Sequence, residues 1–149
     1  MRALRIYETT AGPSTLPVAD VHLQLGNLYG AQNKQEKAAK EYKRTYEIRL
    51  KLLGPDHFHT AISMSNLAYS YTKLKRYKEA EPLFQEAVAT IDKSFGPNPD
   101  NLNVADIFGC YARLLLIEGK PNEADDFYKR AAAIKDRQQQ GREAFGKSP

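Results

Sequence analysis

The chain has 149 residues and 16.8 kDa, with 42 % hydrophobic and 27 % charged residues, the composition and length of one soluble globular domain. No apolar run approaches the roughly 20 residues of a membrane-spanning helix, and the opening residues lack a secretory apolar stretch, so the chain is expected in the cytoplasm with no membrane partner. The balance of 22 Lys and Arg against 18 Asp and Glu, net +4, is scattered, without the dense basic stripe or stacking aromatics that would point to nucleic acid.

Taken in chain order, the sequence is punctuated by one dipeptide. Gly12-Pro13, Gly54-Pro55 and Gly96-Pro97 stand 42 residues apart each time, and a fixed period of this size marks a repeat architecture. Residues 1–11 read as the second helix (B) of a leading partial repeat; 12–53, 54–95 and 96–138 read as repeats, and 139–149 as a polar tail. In the first full repeat Val18, Val21, Leu25, Leu28 and Tyr29 fall at three- and four-residue steps, one stripe of an amphipathic helix A. After a polar break at Gln32-Asn33-Lys34, the residues Ala38, Tyr42, Thr45, Ile48 and Leu52 make the stripe of helix B. Gly54 then offers a left-handed cap, and Pro55 stops the helix.

The second repeat repeats the register. Leu67-Ala68, Tyr71, Arg76, Ala80 and Phe84 match Leu25-Gly26, Tyr29, Lys34, Ala38 and Tyr42. In the third the pattern returns at a spacing of 44, through Ala112, Lys120, Ala124, Tyr128 and Ala131, which places a two-residue insertion in the loop near Pro99 to Asn103. Small residues (Gly26, Ala68, Ala112 and Ala38, Ala80, Ala124) recur where one backbone approaches another, with larger side chains around them. Leu114-Leu115-Leu116-Ile117 is apolar all the way round a turn. Burial on more than one side is therefore expected there, either by a folded-back segment from about Arg137 to Pro149 or by another chain. No sustained period-two alternation exists, so no sheet is expected.

The residues Leu25-Gly26-Asn27-Leu28-Tyr29 with Lys34 and Ala38, and Asn66-Leu67-Ala68, Tyr71, Tyr77-Lys78-Glu79-Ala80-Glu81-Pro82-Leu83 and Ala87, resemble the tetratricopeptide repeat. The 42-residue period and the joint Leu53-Gly54-Pro55-Asp56-His57 are similar to the subtype of kinesin light chains. The third repeat departs from the pattern, with Tyr111 for the signature Leu, Leu115 for Tyr and Pro121 where an aromatic opens helix B. The resemblance implies an all-α fold, a right-handed α-solenoid of antiparallel helix pairs whose A helices line a concave groove. It also implies a function: a non-enzymatic module that binds a peptide or protein segment in that groove, as adaptor or assembly scaffold.

Carried onto this chain, the groove positions are Asp20, Leu23, Asn27, Gly30 and Ala31; Ile62, Ser65, Tyr69, Thr72 and Lys73; and Asp106, Gly109, Arg113, Leu116 and Ile117. The candidate ligand contacts are Asn27 and Ser65 as hydrogen-bonding groups, Tyr69 as an amphipathic anchor, and Lys73 and Arg113 as partners for carboxylates. Leu23 and Gly109 stand where the family's carboxylate clamp has lysines, so chaperone-tail binding is not claimed.

Other chemistry lacks residues. Asp56-His57-Phe58-His59 reads as the inter-repeat turn, with Asp56 as the cap of the next helix and His57 packed locally, and no further ligand completes a zinc set. Cys110, the single cysteine, cannot form an internal disulfide and reads as a buried inert thiol. No Gly-rich phosphate loop, nucleophile elbow or paired acid supplies catalysis, and no cofactor or metal is expected. Two alternatives to the groove-binding module follow from the pattern. A homo-oligomer could stack through open array ends, because uncovered repeat ends expose apolar surface. An RNA-binding helical array ranks last, its repeats having another length and signature.

Overall fold

The computed structural model describes residues 14–96 and 99–145. They form six α-helices: α1 Leu16–Ala31, α2 Gln35–Leu53, α3 Phe58–Lys73, α4 Tyr77–Phe95, α5 Leu102–Ile117 and α6 Pro121–Phe145. Among the described residues there is no strand, and the chain is an all-α array of A and B helices. The expected helix over residues 1–11 lies outside the described residues. The chain divides into two compact units, one reaching Thr90 and the other starting at Ile91. Each is taken by itself below.

The turns between A and B helices share one hydrogen-bond pattern carried by different residues. Each A helix ends at a residue with positive φ: Asn33 at 57°, Lys75 at 61° and Gly119 at 75°. The next amide then reaches back to a carbonyl five residues earlier, Lys34 to Tyr29 at 2.9 Å, Arg76 to Tyr71 at 2.8 Å and Lys120 to Leu115 at 2.8 Å. This is the Schellman closure, which satisfies carbonyls the helix end would leave orphaned. The stop glycines behave as their position predicts, Gly54 at φ 86° and Gly96 at φ 68°. Helix starts vary more. Pro17 opens α1, Asn101 caps α5 by accepting from the Asn103 amide at 2.9 Å, and His57 caps α3, its Nδ1 accepting from the His59 amide at 3.1 Å. The α3 cap is thus His57 rather than Asp56, because the imidazole nitrogen reaches the amide of the second helical residue.

In the first unit Ala38, Ala39, Tyr42 and Leu67 form a buried cluster, with Leu23, Tyr29, Tyr71, Leu74 and Leu83 packed against it. Val18, Ala19 and Ile48 form a second. The buried face of α1 is Val18, Ala19, His22 and Gly26, so the stripe is turned from the one read from sequence, and Leu28 is 52 % exposed. Leu52 at the end of α2 is likewise exposed, while Arg49 is buried in its place. The guanidinium has the partners such burial demands: Asp20 Oδ1 at 2.8 Å, Ser63 Oγ at 3.0 Å and the His59 carbonyl at 3.3 Å. One side chain of α2 therefore ties α1 to the start of α3.

In the second unit Phe127 packs on Tyr111 and Phe108, ring centroids 4.8 and 5.6 Å apart. Arg130 lies over Phe108 at 4.1 Å and pairs with Asp92. Of the four apolar residues at the end of α5, Leu114 and Leu115 are fully buried and Leu116 and Ile117 stay exposed. Residues 138–145 do not fold back over them. They continue α6 to Phe145, with Arg137 and Gln138 donating to the Pro99 carbonyl and to Asp100 Oδ1, both at 2.9 Å. Residues 139–145 of the expected tail are therefore helical. Cys110 is half-exposed rather than buried.

Candidate protein-binding surface

The polar groups of the first unit converge around Tyr42. Gly26 and Gly30, one turn apart on α1, leave a slot without side chains. The Tyr42 ring of α2 lies along it, and a Cβ on Gly30 would meet the Tyr42 hydroxyl at 3.7 Å. The phenol thereby reaches past the core stripe and donates to Asn27 Oδ1 at 2.8 Å. Burial lifts the Tyr42 phenol above its ordinary pKa, and the neighbouring Tyr69 adds to the rise. Tyr69 on α3 in turn carries Lys73, one turn further, whose Nζ lies 5.4 Å from the ring centroid, a cation–π contact at i and i+4. Asn27 with Tyr42, and Tyr69 with Lys73, thus form two linked pairs spread over three helices of the first unit.

Asn27 and Lys73 are exposed and Tyr69 is half-buried, the mixture an amphipathic contact surface needs. Ser65 departs from its expected role. It is 4 % exposed and its hydroxyl donates to the Ile62 carbonyl at 2.8 Å, as small hydroxyls on helices commonly do. Asp20 and Thr72 are engaged similarly, Asp20 by Arg49 and Thr72 by the Ala68 carbonyl at 2.9 Å. Leu23 packs into the cluster around Tyr42. In the second unit Arg113 is exposed on α5, with Leu116 and Ile117 exposed one turn on. Spacing marks Tyr42 as core, where it lies, but does not show that its hydroxyl reaches Asn27. The signal was the glycine pair opposite it, at Gly26 and Gly30.

The described residues contain no cluster of three His, Cys, Asp or Glu side chains able to hold a metal, and no described helix is long and apolar enough to cross a membrane. The tetratricopeptide-repeat profile matches residues 36–93 and 60–137, and a second profile of the same family matches 19–51. The chain belongs to the tetratricopeptide-repeat family. Mouse nephrocystin-3 is 34 % identical over 86 residues, which are 57 % of this chain and 6 % of that protein. Among solved structures, BtubC (BKLC) from P. vanneervenii aligns at TM-score 0.69 and 22 % identity, over 80 % of this chain and 46 % of that one. A Podosopora anserina kinesin-light-chain protein with nearly identical TPR-like repeats aligns at 0.68 and 20 % identity, over 91 % and 64 % of the two chains. The TPR domain of Arabidopsis FLU aligns at 0.65 and 19 % identity, over 80 % and 95 %. The chain shares the fold of the kinesin-light-chain protein's repeats, and it spans a small part of the curated relative and about half of the first of these structures. Domains of this family are in general protein-interaction modules.

Proposed function

We propose that the TPR chain is a non-enzymatic adaptor or scaffold that holds an extended acidic or mixed peptide against α1 and α3 of the first unit. The observation that carries this reading is the two linked pairs Asn27–Tyr42 and Tyr69–Lys73. Asn27 offers a backbone-recognising amide already oriented by the Tyr42 hydroxyl, Tyr69 offers a flat amphipathic face, and Lys73 offers a cation for a carboxylate. Orienting a polar group before binding lowers the entropy lost on association, and tyrosine is enriched among residues that dominate interface energies. Arg113 of α5 is a separate cationic contact in the second unit. Ser65, engaged within its own helix, is left out. A cytoplasmic setting agrees with the single thiol, Cys110.

The test begins with a pull-down on the wild-type chain, which supplies the partner, followed by calorimetry of that partner's bound segment. Tyr69→Ala and the Lys73→Ala/Arg113→Ala double variant should each weaken binding about tenfold or more, the about 1.4 kcal/mol of one lost hot-spot contact. Full affinity in a folded double variant would overturn the assignment.

A further inference from the structure

A second surface of the first unit has unmet chemistry. A cleft of about 390 Å³ lies against α1 and α2, lined by His22, Lys40, Glu41, Lys43, Arg44 and Glu47. His22 is 8 % exposed, its Nδ1 sits 2.7 Å from Glu41 Oε2, and its Nε2 has no hydrogen-bond partner. A buried ring nitrogen without a partner costs free energy, and in native structures such a group calls for an explanation. Facing the Glu41 carboxylate, Nδ1 carries a proton. Nε2 is then an acceptor, or in the imidazolium a second donor.

The charges around the ring are unevenly matched. Both acids of the cleft have partners within the chain, Glu41 in His22 and Glu47 in Arg44 at 3.7 Å. Lys40 and Lys43 are exposed and form no ion pair among the described residues, with the Glu79 carboxylate of α4 within electrostatic reach of Lys43. The unmet charge is therefore positive, and Lys37 and Lys51, also exposed on α2, extend it along roughly 21 Å of helix at 1.5 Å per residue. That length exceeds any single small anion and suits several residues of extended chain.

We propose that this α2 surface docks an acidic segment of a partner protein, with one carboxylate entering between Lys40 and Lys43 above His22. Nε2 is itself covered in the free chain, so docking uncovers it and adds a proton there; the ring then donates to Glu41 through Nδ1 and to the incoming carboxylate through Nε2, and the orphaned nitrogen gains its partner in the complex. Charged side chains on the rim steer the encounter, and the buried ring supplies a directional bond. The surface rests on α2, whereas the peptide site above rests on Tyr69 and Lys73 of α3 with Asn27 of α1, so the two can fail separately.

The test titrates the ¹⁵N-labelled full chain with an acetylated hexaglutamate peptide, with inorganic phosphate and hexalysine as separate arms, following the His22 ring nitrogens by NMR. Hexaglutamate should move the Nε2 resonance saturably, and hexalysine should not. The Lys40→Gln/Lys43→Gln variant, altered only at exposed side chains, should bind at least tenfold more weakly. The proposal is overturned if Nε2 stays still at saturating peptide, or if the double variant binds as tightly as the wild type. It is also overturned if phosphate at equal concentration shifts Nε2 as far as the peptide, which marks a simple anion site, or if light scattering shows that a second copy of the chain occupies the cleft.

Discussion

Tyr42 crosses α1 so closely at Gly26 that a Cβ built on that glycine would stand 2.6 Å from the ring's Cε1. The contact ties core packing to surface chemistry, because the same ring delivers its hydroxyl to Asn27. Gly26→Ala forces the ring to move, an overpacking cost of about 1–3 kcal/mol. Alanine returns about 1 kcal/mol through its better helix propensity. The net expectation is a loss of up to about 2 kcal/mol, read from the midpoint of urea denaturation. Combining it with Tyr42→Leu should shrink the penalty, and an unshifted midpoint in the single variant would contradict the packing described.

The A-to-B turns offer a gain instead. Lys75 holds a left-handed conformation at φ 61° where the third turn has Gly119. A non-glycine residue there costs about 1–2 kcal/mol, partly offset by glycine's greater chain entropy of about 0.5–1 kcal/mol. Lys75→Gly should raise stability by about 0.5–1 kcal/mol. Asn33→Gly should change little, since asparagine tolerates that region through local hydrogen bonding. Thermal unfolding of the two variants separates these outcomes, and equal melting temperatures would count against the account.

Arg49 should be the most sensitive charged position of the first unit. Its side chain is 6 % exposed and its partner Asp20 is 64 % exposed. Arg49→Ala empties a packed volume and leaves buried Ser63 without its donor, a loss of about 2–5 kcal/mol. Asp20→Asn leaves the guanidinium its Ser63 and His59 contacts and lets water replace the lost charge, so about 1 kcal/mol is expected. Similar losses in both variants would show that Asp20, rather than burial, decides the energy.

The first unit should also lose stability as the solution is acidified through the histidine range. Burial chiefly, then Arg49 and His57, lowers the His59 pKa below its ordinary value, with Asp20 opposing. The unfolded chain, with its ordinary histidine pKa of about 6.5, therefore binds a proton that the folded chain resists. The effect is absent above that value and grows as pH falls toward the lowered folded pKa. His59→Gln should flatten the stability profile between about pH 7 and pH 5, measured by denaturation at each pH, and an unchanged slope would exclude His59 as the source.

Much of the fold was legible because three copies of one pattern check one another. The Gly-Pro punctuation placed the helix pairs, and Ala38, Tyr42 and Ile48 lie buried as their spacing implied. The failures have physical causes. Arg49 looks like surface because charge on a helix is usually solvated, and only the positions of Asp20 and Ser63 reveal why it is inside. Ser65 sits at a groove position by register, yet its burial depends on neighbours that periodicity does not specify. The stretch after Arg137 has no apolar stripe and was read as a tail. As far as Phe145 it contains helix-compatible Gln, Arg and Glu and no proline, so the helix propagates. At the candidate site Asn27, Tyr69 and Lys73 were named through the family resemblance. Tyr42 was not, because a helical wheel shows where a side chain starts and not how far its last atom reaches.

The length of α6 has a practical consequence. Its 25 residues extend about 37 Å, against about 24 Å for the 16 residues of α5. The final two turns overhang the start of α5 beyond the anchors at Arg137 and Gln138. A fluorophore, an affinity tag or a fused domain placed near Gln140 would ride on a rigid rod without disturbing the interior, and would report the orientation of the second unit when a partner is bound.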